Sequence, residues 1–162
     1  MKDKSINTSG EHGEGQKVLV DLDDPKLQAF LERFRRIKEA IRGGSITKAQ
    51  ALDAIFRYFR EHVKYDHVRA FSFEIAAGRM DRETAVLLLR KLRYTPEQIA
   101  KLDARNAPRY YLLSEFLDEG VCNEQAMLFQ VVTQFIGVES LFLKGAYFES
   151  ADPGKHAWCQ IT

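Results

Sequence analysis

The chain has 162 residues, of which 45% are hydrophobic and 29% are charged. This length and composition are typical of one soluble domain with a core of its own. The 24 basic and 23 acidic side chains leave a formal net charge of +1, so no overall field attracts nucleic acid or a membrane surface. We therefore expect neither as a partner.

Cys122 and Cys159 are the only cysteines, too few for a disulfide framework and not spaced as a CxxC pair. No signal-peptide core follows Met1, and no apolar run approaches the ~20 residues of a membrane span. We expect a reducing, cytoplasmic setting, although a chain with its leader removed would look the same.

The first sixteen residues, MKDKSINTSGEHGEGQ, contain few apolar side chains and are predicted to be a disordered tail. Residues 17–162 are expected to form one domain of the α+β class. Its first part, 17–118, should be mainly helical. Its second part, 119–162, should hold a cysteine-bearing helix and antiparallel strands of a sheet that is incomplete in this chain.

Residues 17–118 contain several sequence patterns that are typical of helix starts and ends. Asp24 and Pro25 begin an apolar stripe that Gly43 ends, which predicts one helix. Thr47 has capping-box spacing and predicts a second helix. Three further helices are predicted, one capped by Asp81, one beginning at Thr95-Pro96 and one from Arg109 to Asp118; the apolar stretch from Val68 to Gly78 leaves helix and strand open.

The second part has a different pattern. Cys122 to Ile136 reads as a helix of about four turns that is apolar on most sides, and Gly137 is placed to end it. The segments 138–149 and 155–161 are rich in β-branched and aromatic residues or alternate with period two, and turn residues separate them. We predict two adjacent strands.

Alternation along the last strand separates the two cysteines. His156, Trp158 and Gln160 fall on one face, so Cys159 on the other is predicted to be a core thiol. Cys122 instead opens a helix, where amide N–H groups and the macrodipole favour an anion and lower a thiol pKa. A thiolate beside an imidazole is a strong nucleophile. A cysteine that only fills space is the alternative, and the more common one on spacing alone.

The stretch EGVCNEQAMLFQVVTQFIGVESLFLKGAYFE, followed by HAW, resembles the core of the transglutaminase-like superfamily, which is related to papain-type cysteine proteases. The resemblance covers residues 119–162 and extends to FREHVKYDH at residues 59–67. The positions that fit the family pattern, in order, are Gly120, Val121, Cys122, Ala126, Gly137, Val138, Gly145, His156, Ala157 and Trp158.

The resemblance implies a papain-like core in which Cys122 is the nucleophile and His156 its acid and base. Trp158 would then be a substrate-binding wall beside the nucleophile, or simply core. The implied reaction is acyl transfer on a peptide or glutamine amide through a thioester, with hydrolysis favoured over crosslinking. The implied partner is a peptide or protein substrate, and no metal or cofactor is needed.

One residue of the family pattern has no counterpart. The family places an Asp on the strand after His-Ala-Trp, where it orients the imidazole, but no acidic residue follows His156 here. Neither Asp152 nor Glu124 is an obvious substitute. We expect a fragment of a longer enzyme, because a sheet ending there would expose an aromatic edge. The alternatives are that another group supplies the role of the Asp, or that the chain is a catalytically inactive helical module that binds a peptide or protein partner.

Other polar residues receive plainer predictions. His62 and His67 would lie about 140° apart on a helix, so a solvated or capping role is favoured over metal binding with Asp66. The basic run at residues 32–38 has the pattern of the outer face of an amphipathic helix rather than of an RNA site. The region from Phe71 to Arg109 lies outside the family motif and is expected to shape specificity or cover the groove.

Overall fold

A computed structural model describes residues 3–8, 16–103, 110–147 and 154–161, with the backbone alone at 3–8, 16–17, 110–111, 142, 144–147 and 154–158. These residues form an α+β fold in which helices predominate. In chain order the elements are β1 (Asp3–Thr8), β2 (Gln16–Asp21), α1 (Pro25–Glu32), α2 (Arg35–Arg42), α3 (Lys48–His62), β3 (Lys64–Tyr65), α4 (His67–Ala76), α5 (Arg82–Lys91), α6 (Pro96–Ile99), β4 (Tyr110–Leu112), a 3-10 turn (Leu113–Phe116), β5 (Glu119–Gly120), α7 (Cys122–Ile136), β6 (Ser140–Tyr147) and β7 (Gly154–Ile161).

The N-terminal segment corrects the prediction of a disordered tail. β1 pairs antiparallel with β2 from Asp3↔Asp21 to Thr8↔Gln16. β2 offers a fixed template because Val18 and Val20 are buried in the main core. Backbone hydrogen bonds to that template stabilise a strand that has few apolar side chains of its own. The other residues of the predicted tail lie outside the described part of the chain.

The first predicted helix is two helices. Asp24 caps α1 through the N–H of Lys26 (2.8 Å), and Pro25 stands at its first position, as predicted. The chain then leaves helical geometry at Phe34, with φ −102° and ψ 3°. This break allows Phe34 to pack its ring against Phe30 (centroids 5.4 Å apart) and Tyr58 (5.0 Å). The packing of Phe34 in the core therefore interrupts the single helix that the apolar pattern predicts.

Helices α3, α5 and α6 confirm their predicted caps. Thr47 and Thr95 form capping boxes, and Asp81 accepts from the N–H of Thr84. The undecided stretch after Val68 belongs to α4. Helices α4 and α5 pack together on a small second core, whose buried members are Val68, Ala85, Leu89 and Leu102.

The helix predicted from Arg109 to Asp118 is absent from the described residues of that range. Tyr110–Leu112 instead pairs in parallel with β2, and a 3-10 turn follows. Leu113, 1% exposed, is fixed in the main core. The pairing partner lies far away in sequence, so local periodicity could not reveal this strand. Arg109 itself lies outside the described residues.

Helix α7 has the predicted bounds and is buried on most sides, and Gly137 ends it in the left-handed region at φ 85°. β6 and β7 are antiparallel neighbours, as predicted, and both pack against α7. The Thr133 and Ser140 hydroxyls lie 2.6 Å apart and join the helix to the start of β6. Within the described part of the chain, no helix is both long and apolar enough to cross a membrane.

Candidate active site around Cys122

Two strand-to-helix units meet at the start of α7. β3 and β5 pair in parallel, Lys64 with Glu119 and Tyr65 with Gly120. The N–H of Asp66 donates to the carbonyl of Gly120 at 2.9 Å. Immediately afterwards one chain enters α4 and the other enters α7. The N-terminal ends of these helices therefore begin side by side.

Cys122 is the first residue of α7, as the sequence predicts. Its side chain is 6% exposed and forms a small apolar cluster with Ala126, against which Tyr65 packs. The helix start supplies a field that favours a thiolate. The same burial also suits a cysteine that only fills space, so the chemistry depends on what surrounds the sulfur.

Tyr65 is the neighbour whose role the sequence did not reveal, although the FREHVKYDH segment contains it. Its ring makes an edge contact with the ring of His67, with centroids 4.9 Å apart. Burial, and secondarily the negative charge of a Cys122 thiolate, raise the pKa of Tyr65 well above its usual value. The phenol therefore keeps its proton near neutral pH.

Glu124 and Arg69 form a buried ion pair two residues beyond Cys122. The Glu124 side chain is fully buried and contacts the guanidinium of Arg69, whose side chain is 12% exposed. The backbone N–H of Val121 donates to Glu124 Oε1 at 3.5 Å. Arg69 and the N–H of Val121 therefore hold this carboxylate at the start of α7.

Gly120 is required by packing rather than by an unusual backbone angle. A Cβ at this position would lie 3.0 Å from the Cβ of Glu124 and 3.6 Å from the Cβ of Phe116. The first distance leaves less room than a side chain normally has, while the second is an ordinary van der Waals contact. The glycine of the GVC motif therefore lets β5 approach the first turn of α7.

His156 lies on β7 and pairs with Gly145 of β6, and Trp158 pairs with Leu143. The side chains of both residues lie outside the described part of the structure. Farther along the strand, Ile161 packs on the main core while Gln160 is exposed. The grouping of His156 with Gln160 on one face of β7 stays a prediction from the sequence.

Cys159 behaves as the predicted core thiol. It is half-buried and packs on the main core. Burial raises the pKa of the Cys159 thiol, an effect that a hydrogen bond with Ser140 partly offsets. The two cysteines therefore differ in setting, because one lies in a strand and the other at the head of a helix.

The two histidines of the FREHVKYDH segment take separate roles. His62 is exposed at the end of α3. His67 Nδ1 lies 3.0 Å from the hydroxyl of Tyr94, and that hydroxyl donates to the carbonyl of Tyr65. Asp66 caps α4 through the N–H of Arg69 (3.0 Å). Among the described residues, no group of three or more His, Cys, Asp or Glu is arranged to hold a metal ion.

The region from Phe71 to Arg109 contributes one wall of a cleft next to β5. The cleft has a volume of about 270 Å³ and lies between α4, α6 and β5. Its polar lining includes Asp66, Arg69, Gln98, Lys101 and Glu119. Burial and the nearby Asp66 carboxylate raise the pKa of Glu119.

Comparisons with known proteins identify no relative. No protein-family model matches the chain, no curated protein matches it, and no solved structure matches the fold.

Proposed function

We propose that the chain carries the nucleophile half of a transglutaminase-like, papain-like site for acyl transfer on a peptide or glutamine amide. The observation that carries the proposal is the position of Cys122, at the first turn of a buried helix, where two parallel strand-to-helix units lie side by side. In this reaction the sulfur attacks the carbonyl carbon, and His156 takes the thiol proton.

The same imidazole then gives that proton to the departing amine, and a thioester is left on the sulfur. Water or a second amine attacks the thioester and restores the thiol. We favour water, which makes the reaction a hydrolysis of a peptide or protein substrate. Trp158 would form a wall of the substrate site. The reaction requires neither a metal nor a cofactor.

The strand register supports a meeting of Cys122 and His156. From Thr133 back to Cys122, α7 spans about 16 Å along its axis. From Ser140 to Gly145, β6 spans a similar distance of about 16 Å. Thr133 and Ser140 are in contact, and Gly145 pairs with His156. If β6 returns along α7, this register brings His156 to the level of Cys122.

Selective alkylation tests the proposal. In a Cys159→Ala background, we expect iodoacetamide to modify Cys122 faster than a simple thiol near neutral pH, and His156→Ala to remove that advantage. Mass spectrometry after incubation with a glutamine-containing peptide should detect a thioester on Cys122. Cys122 reacting no faster than a simple thiol, together with amidase activity that survives Cys122→Ala, would contradict the proposal.

A second candidate is the inactive peptide-binding module. Two observations favour it: the small exposed fraction of Cys122, and a groove of about 530 Å³ where α1, α2 and α7 meet. The apolar lining of the groove is Leu22, Leu31, Val131 and Phe135. This candidate predicts peptide binding that Leu22→Asp abolishes, because Leu22 is an exposed residue of the groove, and that Cys122→Ala leaves unchanged.

A further inference from the structure

We propose that Arg69 and Glu124 are positioning residues for the Cys122 nucleophile: together they hold the first turn of α7 and keep a buried carboxylate from opposing the thiolate. This inference rests on the proposed function, because it assigns a task to the thiol. It concerns the surroundings of the sulfur rather than the reacting atoms.

The pair connects the helix that starts at Cys122 to the helix beside it. Arg69 lies on the first turn of α4, and Glu124 lies on the first turn of α7. The carboxylate also accepts from the N–H of Val121, the residue before the thiol. One side chain thus contacts both the start of α7 and the neighbouring helix.

Aromatic rings hold the guanidinium in place. The Arg69 Cζ lies 4.3 Å from the ring centroid of Phe116 and 5.4 Å from that of Phe73. A planar guanidinium stacks in this way while it contacts a carboxylate, which a lysine ammonium does less well. The two rings therefore fix both the position and the orientation of the Arg69 guanidinium.

Stability alone does not explain a fully buried carboxylate at this position. The desolvation of two buried ions often cancels their attraction, and apolar pairs of similar volume are frequently as stable. Losing one partner is a different matter, because it leaves a buried charge without compensation. The consequence for Cys122 depends on which partner is lost.

Opposite electrostatic effects follow from the two losses. Without Arg69, the carboxylate of Glu124 disfavours a second negative charge at Cys122. Without Glu124, the guanidinium of Arg69 favours a negative charge at Cys122. Other described ionisable groups near the start of α7 include Tyr65 on β3, Asp66 at the cap of α4, Glu74 on α4 and Glu119 on β5, and both variants leave these unchanged.

The experiment compares Arg69→Met, Glu124→Gln and the double variant in the Cys159→Ala background. The rate of iodoacetamide modification of Cys122 is measured against pH. We expect Arg69→Met to raise the alkylation midpoint by about one pH unit, which makes modification below the midpoint about tenfold slower. Glu124→Gln should shift the midpoint downward, and the double variant should return it toward that of the background protein.

A merely structural pair gives a different result. Both single variants would then lose stability in urea, while the alkylation midpoints of the folded proteins would stay together or move in the same direction; either pattern overturns the proposal. If Arg69→Met does not fold, Arg69→Lys replaces it. Lysine keeps the positive charge but loses the planar guanidinium. We therefore expect the Arg69→Lys protein to be less stable but to keep an alkylation midpoint close to that of the Cys159→Ala protein. A shift of the midpoint by a full pH unit would overturn the proposal.

Failure of the proposed function gives a separate signature. If Cys122 is not a nucleophile, no thioester forms and His156→Ala does not change its alkylation, yet Arg69→Met and Glu124→Gln still move the midpoint in opposite directions. If Cys122 is a nucleophile and the pair has no role, the thioester forms and the midpoint does not move in any of the three variants.

Discussion

Tyr65 pairs with Gly120 in the β3–β5 ladder and also packs against Cys122, two residues beyond that glycine. One side chain thus joins the end of the helical portion to the candidate nucleophile. β3 and β5 contain only two residues each. Side-chain packing therefore contributes most of the stability where these two strands meet.

Tyr65 is expected to cover the Cys122 sulfur. Tyr65→Ala should lower the free energy of unfolding by about 3 kcal/mol and accelerate alkylation of Cys122 in the Cys159→Ala background. Tyr65→Phe keeps the ring and serves as the matched control, with little change in either quantity. Urea unfolding and timed alkylation measure the two effects. Unchanged alkylation in a folded Tyr65→Ala protein would show that the ring does not shield the thiol.

Gly120→Ala is expected to disturb the first turn of α7, because the new Cβ would meet the Cβ of Glu124 at 3.0 Å. We predict a loss of about 2 kcal/mol in stability and a changed alkylation rate at Cys122. Gly78→Ala is the comparison, since Gly78 has φ +74° and open space around it. That variant should lose stability through backbone strain and leave Cys122 unaffected. Equal effects of the two variants on alkylation would be evidence against a packing role for Gly120.

His67 should make stability depend on pH. Burial lowers the pKa of His67 below its ordinary value of 6.5, although Asp66 partly opposes this shift. The unfolded state then takes up a proton at higher pH than the folded state, so stability is highest above about pH 6.5 and decreases as the pH falls toward the lower folded value. His67→Gln should flatten this dependence. Urea midpoints measured at about pH 8 and about pH 5 test it, and identical slopes for both proteins would refute the assignment.

Ser114 should set the acidity of Asp24. Its hydroxyl donates to Asp24 Oδ2 at 2.6 Å, and this bond, followed by the N–H of Lys26, lowers the pKa of Asp24 below 3.8. The associated stability is present above that value and is lost as pH falls through the lower folded pKa. Ser114→Ala should raise the pKa of Asp24 in an NMR titration. Asp81, whose pKa is lowered mainly by bonds with Thr84, is the internal control and should not move.

The elements that the sequence predicted correctly depend on local signals. Thr47 caps α3, Asp81 caps α5 and Gly137 ends α7, because each of these interactions is completed within four residues along the chain. The period-two pattern after Gly154 likewise predicts β7 directly. The position of Cys122 at the head of a buried helix was available from the sequence for the same reason.

The wrong predictions concern segments whose conformation depends on a partner rather than on their own pattern. β1 pairs with the next strand in the chain but has few apolar side chains of its own, and β4 pairs with β2 across helices α1 to α6. Phe34 interrupts a stripe that looks continuous, because its ring packs with Tyr58 of α3. For β4 and Phe34, contacts with residues far away in the sequence determine the local conformation.

The sequence by itself determined the helices with strong caps, the two final strands and the separation of Cys122 from Cys159, since hydrogen bonds and periodicity within a few residues encode them. Only the tertiary structure decided that Tyr65 lies against Cys122 and that Arg69 meets Glu124 beneath the first turn of α7. Those contacts join residues far apart in the chain, and they depend on how the β3–β5 ladder aligns two helices, a relationship that no local pattern contains.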